Sequence, residues 1–155
     1  MVVSCLRIVH LSSGDYKMSG KPVPRPNPDS VVFWEACNDE RFMIQKCNTC
    51  GKSQFYPRAI CKSCHSTSLE WQTASGRGKI KTFTVVHHAP SPAFKEDLPY
   101  VLALIDLEEG VRTMMNVIDC DPADAHIGME VEITFEMRGD NEQKIPQAKA
   151  IGKTK

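Results

Sequence analysis

Hydrophobic and polar residues alternate along much of the second half of the chain. In one stretch the apolar positions are Val131, Ile133, Phe135 and Met137, each separated by a charged or polar residue. This period-two pattern is typical of a β-strand with one face in water. Further strands are predicted at residues 79–88, 100–107, 111–118 and 143–151, and the nearly continuous apolar run at 100–107 fits a strand buried on both faces or a barrel wall. Five strands within residues 75–155 predict a small closed barrel, with the OB-fold as the leading candidate.

A flexible, proline-rich leader is predicted over residues 1–28. Proline fixes φ and lacks an N–H, so the prolines at every second position from 22 to 28 favour an extended segment. Met18 begins a fresh run of small and polar residues, and we expect it to be the natural start. Because we find no signal-peptide core followed by a cleavage site, we expect a cytoplasmic protein whose cysteines stay reduced.

One short helix is predicted within residues 29–40. The Asp-Ser pair at its start offers two candidate N-caps, whose side-chain oxygens can accept backbone N–H bonds. Val31 and Trp34 follow at helical spacing, together with a cysteine one turn later. Val31, Phe33 and Trp34 offer more apolar surface than a small barrel can cover, so the sequence predicts a docking site for another protein on this helix.

Four cysteines in residues 41–74 form the strongest motif of the chain. They make two C-x-x-C pairs, Cys47 with Cys50 and Cys61 with Cys64. Two residues between ligands let one tight turn present both sulfurs, and the glycine after the first pair suits a positive φ. Four thiolates complete a tetrahedral site and leave no open position, so the pattern predicts a structural Zn²⁺ ribbon of the rubredoxin type.

Two alternatives to zinc use the same four ligands. A redox-active C-x-x-C fits poorly, because there are two pairs and no thioredoxin-like βαβ pattern around them. Iron in a rubredoxin-like site would have the same tetrathiolate, and the spacing does not exclude it.

Composition places the chain among ordinary globular proteins. Hydrophobic residues make up 41% and charged residues 25% of 155 residues. No run approaches the roughly 18 apolar residues that a membrane span needs, so we expect no membrane association.

The formal net charge of zero hides an uneven distribution. Residues 41–82 contain eight basic residues and one acid, whereas residues 96–142 contain 13 acids and two bases. Ribbons and OB barrels bind nucleic acid in other proteins, and this function is kept as the alternative. The acidic barrel half argues against it, because it would repel phosphates and offers few stacking aromatics, so we expect no nucleic-acid partner.

The sequence does not assemble a recognisable catalytic set. Cys5, Cys37 and Cys120 are not assigned as nucleophiles, and the acids around Cys120 would raise its pKa. His87 and His88 are adjacent on a predicted strand and point to opposite faces, so we expect one to pack and one to be solvated, with lining of a substrate channel as the alternative. No catalytic residue is therefore assigned.

A series of motifs follows in order over roughly residues 30–137: Phe33-Trp34-Glu35, Gln45-Lys46-Cys47-x-x-Cys50-Gly51, Tyr56-Pro57-Arg58, Cys61-x-x-Cys64, Leu69-Glu70-Trp71, Ser75-Gly76-Arg77-Gly78, Thr84-Val85-Val86-His87, Leu107-Glu108-Glu109-Gly110-Val111 and Ile127-Gly128-Met129-x-Val131. In this linear order the chain resembles the zinc-ribbon plus OB-fold proteins associated with acyl-CoA metabolism.

This resemblance implies an accessory role. Proteins of this family bind thiolase-like or hydratase-like partners that hold the catalytic residues, and some take part in degradation of sterols or aromatic acids. We therefore expect a non-catalytic subunit of a thiolase-type acyl-CoA C–C bond cleaving complex, with a thiolase-like catalytic subunit as partner. The acyl-CoA thioester is expected at the partner interface, where Arg77, Lys79 and Lys81 are candidates to meet coenzyme A phosphates. The alternative for these three is a solvated strand face.

Overall fold

The structure is a computed structural model that describes residues 20–139 and 143–152. The predictions for Cys5, Met18 and residues 1–19 of the leader lie outside the described residues. In chain order the elements are α1 (Val31–Asn38), β1 (Met43–Cys47), β2 (Ser53–Gln54), β3 (Leu69–Thr73), β4 (Arg77–Val86), a 3-10 helix (Pro92–Asp97), β5 (Tyr100–Leu107), β6 (Arg112–Ile118), β7 (Glu130–Arg138) and β8 (Gln143–Ala150). None of the helices in this part of the chain has the length and apolar character that a membrane crossing requires.

The last five strands close into a barrel in the order β4-β5-β6-β8-β7. This confirms the predicted mainly β fold with a five-stranded barrel. Burial alternates along β5, with Val101, Ala103 and Ile105 inside, so the apolar run at 100–107 is a barrel wall. Strands β6 and β8 are parallel and pair at two positions, Val117 with Ala148 and Ile118 with Lys149. The other neighbouring strands are antiparallel.

A three-stranded sheet of order β2-β1-β3 carries the cysteine motif. The central strand β1 pairs with β2 through Gln45 and Gln54, and with β3 through Cys47 and Leu69. The two outer strands therefore flank the strand that ends in the first cysteine. This arrangement confirms the predicted zinc-ribbon region between the helix and the barrel.

Helix α1 is present, but it buries a different face from the predicted one. Phe33, Ala36 and Cys37 are buried, whereas Val31 is 38% exposed and Trp34 is half-buried. These buried positions are also at helical spacing, and they face the ribbon and β8. The prediction that Phe33 belongs to an exposed docking surface is wrong, since its side chain is part of the core.

The ring of Phe33 is held in an aromatic cluster with the ribbon. Its centroid lies 5.4 Å from that of Phe42 and 5.2 Å from that of Phe55. Phe42 and Phe55 are themselves 4.9 Å apart. Such edge-on and tilted aromatic pairs add to the stabilisation from burial alone. The cluster fixes α1 against the sheet that carries the cysteines.

The start of α1 is capped by Asn27 rather than by the side chains of the Asp-Ser pair. The backbone N–H of Ser30 donates to Asn27 Oδ1 at 2.9 Å, and the N–H of Val31 donates to Asn27 O at 3.0 Å. Ser30 occupies the N-cap position, but its hydroxyl makes no capping bond to the helix and accepts the N–H of Asn27 instead. One of the two predicted N-cap positions, Ser30, is confirmed, but Asn27 rather than the Ser30 side chain accepts the N–H bonds at the start of the helix.

Two strand details differ from the sequence predictions. Met137, placed on the apolar side of β7, is 52% exposed because β7 runs past the packed part of the barrel at this end. Strand β4 begins at Arg77, two residues before the predicted start at residue 79. Gly78 pairs with Leu107 on β5 and Val131 on β7, which places it inside the barrel wall.

A side chain at Gly78 would collide with β5. An ideal Cβ there would lie 2.6 Å from Asp106 O and 2.8 Å from Ile105 Cγ2. We expect Gly78→Ala to lower the free energy of unfolding by about 1–3 kcal/mol, since the strands must shift to accept it. Urea unfolding followed by circular dichroism measures the change. Gly20→Ala is the control, because a Cβ at Gly20 meets no atom within 4 Å; equal midpoints for the two variants would contradict the prediction.

Candidate metal centre

The two cysteine pairs form matching turns. The N–H of Gly51 donates to Cys47 O at 2.8 Å, and the N–H of His65 donates to Cys61 O at 3.0 Å. Both residues that close the turns have positive φ, +71° for Gly51 and +60° for His65. The positive φ of the glycine follows the prediction, whereas a histidine in this conformation was not foreseen from the sequence. Each turn brings its two sulfurs to the same side.

All four predicted cysteines come together. The Sγ atoms of Cys47 and Cys64 are 3.6 Å apart, and those of Cys50 and Cys61 are 3.7 Å apart. The ligand atoms of the four residues all lie within 4.8 Å of one another. A tetrahedral zinc with Zn–S bonds of about 2.3 Å has sulfurs about 3.8 Å apart. The cluster therefore has the size and the donor set that a tetrathiolate metal site needs.

The thiol pKa values are lowered for Cys47 and Cys61, where backbone hydrogen bonds are the largest cause, and raised for Cys64. A hydrogen bond from the backbone of Cys50 is the largest cause that lowers the pKa of Cys47 to about 6. The pKa of Cys64 is raised to about 12: the backbone N–H of Ser66 lowers it, but burial and the other three sulfurs together raise it more. Four thiolates this close together repel one another, and a divalent cation would offset their negative charge. Because the thiols must lose protons to bind the metal, metal affinity rises with pH.

The turns are also linked to each other by polar contacts. Thr49 Oγ1 lies 2.8 Å from Ser66 Oγ, and the N–H of Asn48 donates to Ser68 O at 3.0 Å. The N–H of Cys61 donates to Ser66 O at 2.9 Å. The first two contacts join the turn of the first cysteine pair to the segment after the second cysteine pair, and the third joins Cys61 to the same segment. Hydrogen bonds that use no sulfur therefore help to order the cluster.

Basic residues lie close to the four cysteines in the sequence. The basic neighbours of the four cysteines are Lys46, Lys52, Arg58 and Lys62. None of the salt bridges within the described residues involves them. A divalent metal with four thiolates carries a formal charge of about −2. The basic character of the ribbon is therefore suited to offset this charge.

Cys37, Cys120, His87 and His88 are not part of the cluster. Burial raises the pKa of Cys37 to about 12. Burial is also the first cause that raises the pKa of Cys120, followed by Asp124 and Asp121. His87 and His88 are both exposed beyond the end of β4, so the prediction that one of them packs is wrong.

The basic residues of β4 lie among acids. Arg77, Lys79 and Lys81 are exposed on the outside of the barrel. Lys79 Nζ lies 3.2 Å from Glu130 Oε1, and Arg77 is the cross-strand partner of Glu132. Because carboxylates already neutralise this face, it has less attraction for phosphates than the three cations alone suggest.

A cleft that the sequence did not reveal lies between α1, the ribbon and the barrel. It has a volume of about 410 Å³, and its lining includes Trp34, Tyr56, Met114, Arg138 and Ile145. Residues 113–116 of β6 and 145–147 of β8 line it, and at these positions the two strands are not paired with each other. We therefore name it the seam cleft. Tyr56 and Met114, at 51% and 54% exposure, are large apolar side chains open to solvent there.

Comparisons with known proteins agree with this architecture. Residues 34–70 match the rubredoxin-like zinc ribbon domain of ChsH2, and residues 71–136 match the C-terminal OB-fold domain of ChsH2. A DUF35 domain-containing scaffold protein of Methanocaldococcus jannaschii is 45% identical over 107 residues, which cover 68% of this chain and 75% of the relative.

Two further proteins are similar over most of this chain. A probable enoyl-CoA hydratase alpha subunit of Thermomonospora curvata is 34% identical over 126 residues, which cover 81% of this chain and 39% of that subunit. The chain thus spans well under half of that relative. A solved structure named Ltp2-ChsH2(DUF35) aldolase superposes with a TM-score of 0.74 at 32% identity, covering 83% of this chain and 98% of the solved one. With both of its domains matched in order, the chain belongs to the DUF35/ChsH2 family of zinc-ribbon and OB-fold proteins.

Proposed function

We propose that this chain is a non-catalytic accessory subunit of a thiolase-type complex that cleaves C–C bonds in acyl-CoA substrates. It stabilises a thiolase-like catalytic partner and shapes the acyl-CoA site at their interface. The observation that carries the proposal is the match to 98% of a chain in a solved aldolase, an enzyme class that acts on C–C bonds. In the described residues, the one group of three or more candidate metal ligands is the cysteine centre.

The names of two relatives support an accessory role beside a second polypeptide. One relative is called a scaffold protein and another is the alpha subunit of a hydratase. The choice of a thiolase among acyl-CoA enzymes, and of aromatic-acid degradation such as that by benzoylsuccinyl-CoA thiolase, rests on the linear motif resemblance. We place the complex in the cytoplasm, where thiols stay reduced and remain able to bind metal.

The metal centre is proposed as a structural Zn²⁺ site in residues 41–74, carried by the barrel of residues 75–155. Cys47, Cys50, Cys61 and Cys64 would hold the ion. Four protein ligands leave no position for substrate, so the ion supplies folding free energy instead of chemistry.

The seam cleft is proposed as part of the surface that meets the catalytic partner. Exposed apolar side chains at a cleft rim are typical anchors of protein interfaces. Tyr56 and Met114 stand at this rim, on the ribbon and on the barrel respectively. A partner seated there would contact both domains at once and keep their orientation fixed. The acyl-CoA is proposed at this partner interface, away from the neutralised face of β4.

Replacing one ligand should remove the metal. We expect Cys61→Ser to lose zinc, measured by metal analysis after dialysis, while the sheet signal of the barrel in circular dichroism stays largely unchanged. Cys120→Ser, outside the cluster, is the control and should keep about one zinc per chain. A red colour in the purified protein would show iron instead of zinc. Full zinc retention by Cys61→Ser would refute the assignment of the four ligands.

A charge at the seam cleft should weaken the complex. We expect Met114→Glu to reduce affinity for the co-expressed thiolase-like protein at least about tenfold, because an interface anchor contributes more than about 1 kcal/mol. Met137→Glu is the matched control, since Met137 is 52% exposed on β7 and does not line this cleft. Size exclusion and titration calorimetry measure both. Equal losses in the two variants would contradict the assignment of this surface.

The division of labour between the subunits is tested by activity. Thiolytic cleavage of a 3-oxoacyl-CoA is expected from the complex and not from this chain alone. Robust acyl transfer by the purified solitary chain would overturn the accessory role.

A further inference from the structure

Two buried glutamines lie on the ribbon strands that precede and follow the first cysteine pair. Gln45 on β1 and Gln54 on β2 are cross-strand partners, so their side chains share one face of the ribbon sheet. Their exposures are 6% and 2%. The Nε2 of Gln54 donates to Gln45 Oε1 at 2.9 Å. Burying an amide without hydrogen bonds lowers the stability of the fold, so we expect both side chains to have further hydrogen-bond partners.

The two amides bind the backbone of the segment that leads into the second cysteine pair. Gln45 Nε2 donates to Arg58 O at 3.0 Å, and the N–H of Arg58 donates to Gln45 Oε1 at 2.9 Å. Gln54 Nε2 donates to Ile60 O at 3.3 Å, and the N–H of Lys62 donates to Gln54 Oε1 at 2.8 Å. Residues 58, 60 and 62 are thus held at alternate positions, as a neighbouring strand would hold them. We call this set of contacts the amide clasp.

The amide clasp connects both halves of the metal centre without using a sulfur. Gln45 precedes Cys47 by two residues on the same strand, and Lys62 lies between Cys61 and Cys64. Residues 55–60 belong to no strand, so strand pairing does not order them. The clasp therefore fixes where the second turn stands relative to the first.

We propose that Gln45 and Gln54 are positioning residues that hold the second cysteine pair beside the first before any metal binds, and that they raise metal affinity in this way. The inference rests on the proposed zinc site. Its physical basis is preorganisation: ordering of the loop occurs during folding, so that less conformational entropy is lost when the metal binds. Loss of such supporting contacts typically weakens metal binding by about 10–100-fold.

Metal titration tests the effect on affinity. Zn²⁺ affinity is measured by competition with a chromophoric chelator for Gln45→Leu, Gln54→Leu and the control Gln72→Leu, which alters an exposed residue of β3 in the same sheet. We expect each of the first two to bind about 10–100-fold more weakly, and the control to bind as the unchanged chain does. At saturation the Co²⁺ form of all variants should show the same tetrathiolate spectrum, because the ligands are intact. Gln54→Met, similar in length to glutamine, provides a second version of the test if Gln54→Leu does not fold.

Amide exchange tests the metal-free state directly. In the metal-free chain, the Lys62 N–H should be protected from hydrogen exchange by its bond to Gln54, and Gln54→Leu should abolish that protection while leaving barrel amides protected. An unprotected Lys62 N–H in the unchanged metal-free chain, or unchanged Zn²⁺ affinity in both leucine variants, would overturn this inference and leave the zinc site standing. Failure of the unchanged chain to bind either Zn²⁺ or Co²⁺ would overturn the zinc site and this inference together.

Discussion

One continuous apolar core holds the helix, the ribbon and the barrel together. Phe33 of α1, Ile44 of β1 and Ile80 of β4 belong to the same buried cluster. A ribbon of about 30 residues is too small to bury a sufficient core of its own. Its inner end therefore uses apolar surface that the barrel supplies, and its outer end is ordered by hydrogen bonds and by the four cysteines. The family architecture depends on this sharing, since neither the helix nor the ribbon has another way to exclude water.

Strand positions in the barrel half could be predicted well from the distribution of apolar residues. The nearly continuous apolar run at 100–107 coincides with β5, and the alternating run from Val131 to Met137 lies within β7. The burial of β7 was less predictable. Alternation shows which residues share a face of the strand, but not how many of them the barrel buries, and Met137 on this face is exposed. In the eight-residue helix, apolar residues at helical spacing can be counted from Val31 or from Phe33, so the sequence allows two possible buried faces. Contacts with the ribbon and the barrel decide which of the two is buried.

The cysteine cluster could be predicted because ligand spacing is a local property of the sequence. The contacts that support it were not predictable in the same way. A glutamine in a strand has no distinctive pattern, and the partners of Gln54 become evident once the loop after β2 is placed. The seam cleft is built from segments that are far apart in the chain, so it has no local signature. Sequence reasoning thus found the ligands and missed the features that depend on long-range packing.

The position of Cys47 has a mechanical consequence for the whole molecule. This residue ends β1, pairs with Leu69 on β3 and contributes a sulfur to the cluster, while Met43 and Ile44 at the other end of the same strand are anchored in the core. One extended strand of five residues therefore connects the ligand turn with the core. A displacement of Cys47 would pass directly to Met43 and Ile44, because no loop lies between them.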